Sequence, residues 1–225
     1  MKKRILYSEI CYFLGIIFIA FGTALMEKAN FGLSMVVAPA YILHLKISEV
    51  LTFFSFGMAG YVLQAVILVI MIIILKKAKI TYLFSFLTAV LVGLLLDLGV
   101  YILSFASSAL LVRIICFLFG MPMVSLGVAF MFKTYFPPES YDLFVKEISS
   151  RFKLKLSKFK TIYDIVCLLL SVFLSFVFFG LWNFKGIYFG TLICALFNGL
   201  LIGLFTKLIE KIFIVEDKFN IRKYF

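Results

Sequence analysis

The sequence predicts an all-α polytopic membrane protein. Six transmembrane helices form two three-helix repeats of opposite topology, each with an extra short helix after its first span. Three observations carry this reading. Apolar residues make up 64% of the chain, with a mean hydropathy of +1.17, well above the roughly 45–50% apolar usage of soluble domains. They fall in runs long enough to cross a hydrocarbon core of roughly 30 Å. The chain also repeats itself. GTALMEKANF from Gly22 and GVAFMFKTYF from Gly127 share Gly, Ala, Met, Lys and Phe in one frame. ITYLFSFLTAVLVGLLLDL from Ile80 parallels GIYFGTLICALFNGLLIGL from Gly186, pairing Tyr82 with Tyr188, Ala89 with Ala195 and Gly93 with Gly199. Two matches at nearly one spacing mark a duplicated unit. A soluble bundle would need polar faces at helical period, which Tyr61–Leu75 (YVLQAVILVIMIIIL) lacks.

The spans read as Ile5–Met26, Leu51–Leu75, Ile80–Leu103, Ser107–Phe132, Thr161–Trp182 and Ile187–Phe213. The first half is then 1–106, the second 107–213, and a tail covers 214–225. MKKR followed by an apolar run resembles a signal peptide. The run is too long for one, however, and flows into the repeated segment, so it is read as a retained helix. With the N-terminus inside, 18 of the 22 Lys and Arg fall on cytoplasmic segments, which places both termini in the cytoplasm of a bacterial inner membrane. Three spans per half force the second copy to insert upside down relative to the first, an arrangement common among secondary transporters.

After its first span each half carries an extra piece. Phe31–Leu45 (residues 31–45) is apolar but short, which suits a re-entrant or interfacial helix. Its counterpart in 136–160 begins FPPESYDLFVKEISSRF and reads as an amphipathic cytoplasmic linker, with Pro137 and Pro138 starting a helix and Glu139 favouring its N-terminus.

The net charge of +11 is spread between apolar runs, where it sets topology and meets anionic lipid at the cytoplasmic face; it does not indicate nucleic acid. Cys11, Cys116, Cys167 and Cys194 lie inside apolar segments at irregular spacing, so neither a disulfide framework nor a metal site is expected. His44 is expected near the outer surface. No cofactor motif or enzyme signature is present. Lipid, a small solute or ion, and a second copy of the chain are the candidate partners.

Polar groups within spans are costly and therefore informative. Asp97, Gln64, Asn198 and Arg113 are the pathway candidates. Gly32 and Ser34 join them, because a break after the first helix can present backbone groups to an ion. For Asp97 a proton or cation site competes with an ion pair to Arg113. Helix-to-helix bonding is the commoner use of Gln64 and Asn198. Glu9 and Asp164, at the inner interface, are weaker candidates. Ala195, Gly199 and Gly203 form a small-residue stripe, which the repeat maps onto Ala89, Gly93 and Asp97; spans three and six are therefore expected to pack together.

At FGTALMEKANFGLSMVVAPAYI and FLTAVLVGLLLDL the chain resembles the YczE/YitT group of bacterial integral membrane proteins. The shared features are Gly22, the GLS turn at Gly32, Leu33 and Ser34, and the Gly93–Asp97 pattern. Members often have Pro after that serine and an acidic residue shortly beyond, whereas Met35, Val36 and Val37 stand here. The resemblance implies architecture and a cytoplasmic-membrane location. The working expectation is a small-solute or ion transporter, against a non-transporting accessory protein or a substrate-binding subunit of a larger transporter.

Overall fold

The computed structural model describes residues 4–180 and 185–218. A short strand, β1 (Arg4–Tyr7), leads into α1 (Ser8–Ala29), α2 (Ala38–Ile47), α3 (Phe56–Leu75), α4 (Ile80–Ser104), α5 (Leu110–Met131), α6 (Ser140–Arg151), α7 (Leu156–Phe179) and α8 (Phe189–Ile212), followed by β2 (Phe213–Glu216). Among the described residues six helices, α1, α3, α4, α5, α7 and α8, are long and apolar enough to cross a membrane. This is the fold of a multi-pass membrane protein. Trp182, the expected end of the fifth span, lies outside the described residues.

Local sequence sets the boundaries. Asn30 closes α1 in the left-handed region at φ 52°, its N–H donating to the Glu27 and Met26 carbonyls. Ser55 caps α3, its Oγ accepting from Met58 N at 3.0 Å. Residues 5–7 were expected to be helical. They pair instead as a parallel strand with β2, in the register Arg4↔Phe213 to Tyr7↔Glu216, which draws both described ends to one side of the bundle. At the same end Glu9 is buried, accepting from Tyr135 Oη at 2.9 Å and Lys218 N at 3.2 Å. Asp164 pairs with Lys160 one helical turn away at 3.2 Å.

The bundle is organised around α1 and α5, which cross antiparallel. In α1, 61% of the apolar window is buried, against 11% in α8, so α1 is central and α8 peripheral. The crossing is made by glycines. A side chain at Gly15 would meet the Gly127 carbonyl, and one at Gly22 the Gly120 carbonyl; the reverse contacts hold equally. Without Cβ atoms the two backbones touch, and dispersion contacts substitute for the hydrophobic drive that lipid does not supply. Pro122 lies within α5 beside this crossing.

Around the pair, α1 packs on α4, and α5 on α8. The short helices reach across, α2 to α3 and α7, and α6 to α3 and α7. On one flank α3 lies on α4 through Gly57 and Gly93, whose backbones touch. On the other, α7 and α8 make no comparable contact among the described residues.

Spans three and six (α4 and α8) do not pack together: Gly93 faces Gly57 of α3, while Gly199 and Gly203 have open space where a side chain would lie, and Ala195 is exposed. The segment expected as a surface linker is also only partly at the surface. Its helix α6 begins inside the bundle, with Ser140, Tyr141, Leu143, Val145 and Ile148 buried.

Candidate functional site

The loop leaving α5 turns back into the molecule. Thr134 and Tyr135 contact Ser8 at the start of α1. The Phe136 ring then stacks at 4.6 Å on Tyr12, the Pro137 carbonyl accepts from Thr88 Oγ1 at 3.1 Å, and the Pro138 carbonyl accepts from Ser85 Oγ at 2.6 Å. Thr88 stands about 12 Å along α4 from its start, at 1.5 Å per residue, so α6 starts deep in the bundle. The first turn of α2 is likewise buried at Ala38, Pro39 and Ala40. Both short helices thus direct their N-termini inward, as half-helices do in transporters.

Between them lies a narrow cavity of about 30 Å³, lined by Val37 before α2, Glu139 and Tyr141 at the start of α6, Gln64 of α3 and Thr23 of α1. It follows the α3–α4 seam to Gly57 and Gly93 and is large enough for a water molecule. Gln64, 3% exposed, bridges its inner end: Nε2 donates to Glu139 Oε1 at 2.8 Å, and Oε1 accepts from Ser140 N at 2.8 Å. Among the described residues, Ser140 Oγ and Tyr141 Oη are buried without partners. Burial pushes the Glu139 carboxyl up from its ordinary 4.5 to about 7, and the nearby charge of Asp142 adds to this; the Gln64 hydrogen bond and Lys160 act the other way.

At the far end of the seam, Asp97 accepts from Ser55 Oγ at 2.5 Å and from Gly57 N at 2.7 Å. Its charge sits at the N-terminus of α3, where the helix dipole favours it. The alternative expectation, an ion pair with Arg113, is not what forms. Arg113 Nε and Nη2 donate to the carbonyls of Ala29 and Asn30 at 2.8 and 3.1 Å, and the guanidinium lies 4.8 Å from the Phe31 ring centre. It caps the carbonyl end of α1 and lines a second, wider cleft of about 510 Å³ with Phe31, Phe117, Tyr188 and Gly190.

The remaining candidates are dispersed. Asn198 lies away from the narrow cavity and ties α8 to α5, accepting from Ser125 Oγ at 2.5 Å. Gly32, at φ +109°, allows the chain to pass against Thr191 and Tyr188 at the start of α8. The Ser34 carbonyl accepts from Val37 and Ala38 N, starting the turn into α2. His44, expected at the outer surface, is half-buried with Nδ1 2.8 Å from the Phe54 carbonyl. Glu139 was not a sequence candidate, because its polar surroundings read as solvated. The available signal was the pair of prolines before it, which stop regular helix and let the chain turn inward.

Fold and cavities together define a multi-pass helical membrane protein. Residues 6–207 match a family of unknown function, DUF6198, and the chain belongs to that family. It is also similar to the uncharacterized protein YyaS of Bacillus subtilis (strain 168), with 29% identity over 213 residues, covering 92% of this chain and 96% of that protein. No solved structure matches the chain.

Proposed function

We propose that this protein is a small-solute or ion transporter of the bacterial cytoplasmic membrane, built from two inverted repeats that exchange conformations, with both termini cytoplasmic and no enzymatic activity. The YczE/YitT likeness belongs to the same reading. Reciprocity at the α1–α5 crossing supports the repeat. Gly15 and Gly120 occupy equivalent positions in the two halves, as do Gly22 and Gly127, and each glycine touches the other's counterpart, the pattern of a twofold axis. Equivalent helix pairs recur as well: α1 on α4 with α5 on α8, and α2 on α7 with α6 on α3.

The observation that carries the transport reading is that equivalent places differ. The cleft of about 510 Å³ is lined by Phe31, Arg113, Phe117 and Tyr188. Their counterparts in the other half are Phe136, Ser8, Tyr12 and Tyr82, and there the space is filled: Tyr12 stacks on Phe136, and its hydroxyl lies 2.7 Å from Thr88 Oγ1. Likewise Gly93 is clamped on Gly57, while its counterpart Gly199 faces open space. Two halves of one design, one closed and one open, are what alternating access requires of a single state.

Flux into proteoliposomes, measured with a panel of cations and amino acids, tests the proposal. Saturable, protein-dependent uptake of one class supports it. Uptake of none, with both halves held rigid, assigns the protein an accessory role.

A further inference from the structure

The N-cap and first turn of α6 gather three consecutive polar groups, Glu139, Ser140 and Tyr141, at a depth where water is scarce. Gln64 fixes their arrangement. Its Oε1 is committed to Ser140 N, so its Nε2 must face Glu139. That leaves the carboxyl with one amide donor, and among the described residues no cation lies within ion-pairing distance of it. Tyr141, only 6% exposed, lines the same cavity and holds an unpartnered hydroxyl. Buried polar groups are nearly always satisfied, so such a cluster points to something it binds.

Among the described residues, the charged groups on the neighbouring elements form no ion pair with Glu139. On α6 the nearby titratable groups are Asp142 and Tyr141. On α7, Lys160 is shared between Asp142 and Asp164, each at 3.2 Å, with Tyr163 and Cys167 beyond it. On α3 the facing groups are Gln64 and Tyr61. At the start of α4, Lys79 before the helix and Tyr82 within it engage Glu147, while Asp97 of α4 is held at the start of α3. On α1, Tyr12 is bonded to Thr88 and Glu9 to Tyr135, while Cys11 stands at the start of the helix and Glu27 and Lys28 at its far end, Lys28 donating to the Ala106 carbonyl.

We infer that Glu139 is a proton-binding site inside the bundle, taking up and releasing a proton through the cavity that it shares with Tyr141. Ionised, it accepts from Gln64 and draws the Tyr141 hydroxyl as a second donor. Protonated, it offers a hydroxyl to the cavity, and the negative charge at the start of α6 is gone. As the coupling site of a transporter this rests on the reading above; as a protonatable group it stands alone.

The test uses the full chain in nanodiscs of neutral lipid, treated with N,N′-dicyclohexylcarbodiimide and mapped by peptide mass. The reagent adds to a protonated carboxyl, and the O-acylisourea rearranges to a stable N-acylurea with no leaving group. The expected adduct is on Glu139, falling about tenfold between pH ~6 and pH ~8. It is absent in Glu139→Gln. The wild-type series needs no variant to fold. An unmodified Glu139, an adduct independent of pH, or an adduct on Asp97 alone overturns the inference. Labelling without flux keeps the proton site and removes transport; flux without labelling does the reverse.

Discussion

Gly57→Ala tests the seam on which the candidate site depends. A Cβ at Gly57 would stand 2.1 Å from the Gly93 carbonyl oxygen and 2.6 Å from Asp97 Oδ2. Reaching ordinary contact requires α3 to move from α4 by more than about 1 Å, and both neighbours are backbone or fixed by hydrogen bonds. Overpacking of this kind costs about 1–3 kcal/mol. Loosening the charge-assisted bond from Gly57 N to Asp97 adds about 1.5–3 kcal/mol. The expected loss is therefore about 2.5–6 kcal/mol, read as a lower thermal midpoint and a shifted denaturation curve in detergent. Gly199→Ala, at the position that the proposed repeat pairs with Gly93 on the other side of this seam, meets nothing within 4 Å and should leave stability within about 0.5 kcal/mol. If the two variants are equally stable, or Gly199→Ala is the worse, the reasoning about the seam fails.

Gln64→Leu strands Ser140 N and the Glu139 carboxyl; each orphaned buried group costs about 1–3 kcal/mol, and Gln64→Glu, which keeps the acceptor, should recover part of the loss in the same melts. Gly22→Leu would force a side chain into the Gly120 carbonyl and Val124; it should abolish the monodisperse peak on size exclusion, whereas Gly203→Leu, in open space, should not. A double-mutant cycle on Ser125 and Asn198 should return a coupling of about 0.6–2 kcal/mol, the range of hydrogen bonds between membrane helices; a value near zero would remove the α5–α8 tie. The Glu139 carboxyl titrates higher folded, about 7, than unfolded, near 4.5. The folded state therefore binds the proton more tightly, its stabilisation is complete below about pH 4.5, and it is lost as pH rises through 7, by up to about 3 kcal/mol. Denaturation midpoints should fall across that window in the wild type and stay flat in Glu139→Gln.

The spans were legible because a membrane helix declares itself in composition: each of the six apolar runs from Ile5 to Phe213 overlaps one of the observed helices over most of its length, with ends that differ by a few residues. The extra helix after the first span was legible from its length and Pro39. Long-range partnerships were not. Residues 5–7 look like the start of a helix, and only Phe213–Glu216, far along the chain, makes them part of a strand. Glu139 sits in a locally polar stretch, so its burial depends on Gln64, Ser85 and Thr88, which are distant in sequence. Small-residue stripes misled in one place and were missed in another. Gly199 and Gly203 fit a packing motif but face outward. The pairs Gly15–Gly22 and Gly120–Gly127 share one spacing at equivalent positions, a signal that was available and that marks the true crossing. A stripe tells that helices can approach; only the partner's surface decides whether they do.

The proposed exchange between the two halves is most directly tested as a pair of distances by electron spin resonance. The native cysteines are buried, so spin labels can be directed to cysteines introduced at Gly60 and Leu94 on α3 and α4, and at the equivalent Ile165 and Leu200 on α7 and α8; these sites are open or exposed except for Gly60, which is partly buried but has free space for a side chain. Alternating access predicts two populations for each pair, with the α7–α8 distance shortening in the fraction where the α3–α4 distance lengthens. One unchanging distance for both pairs, or distances that lengthen together, would contradict it.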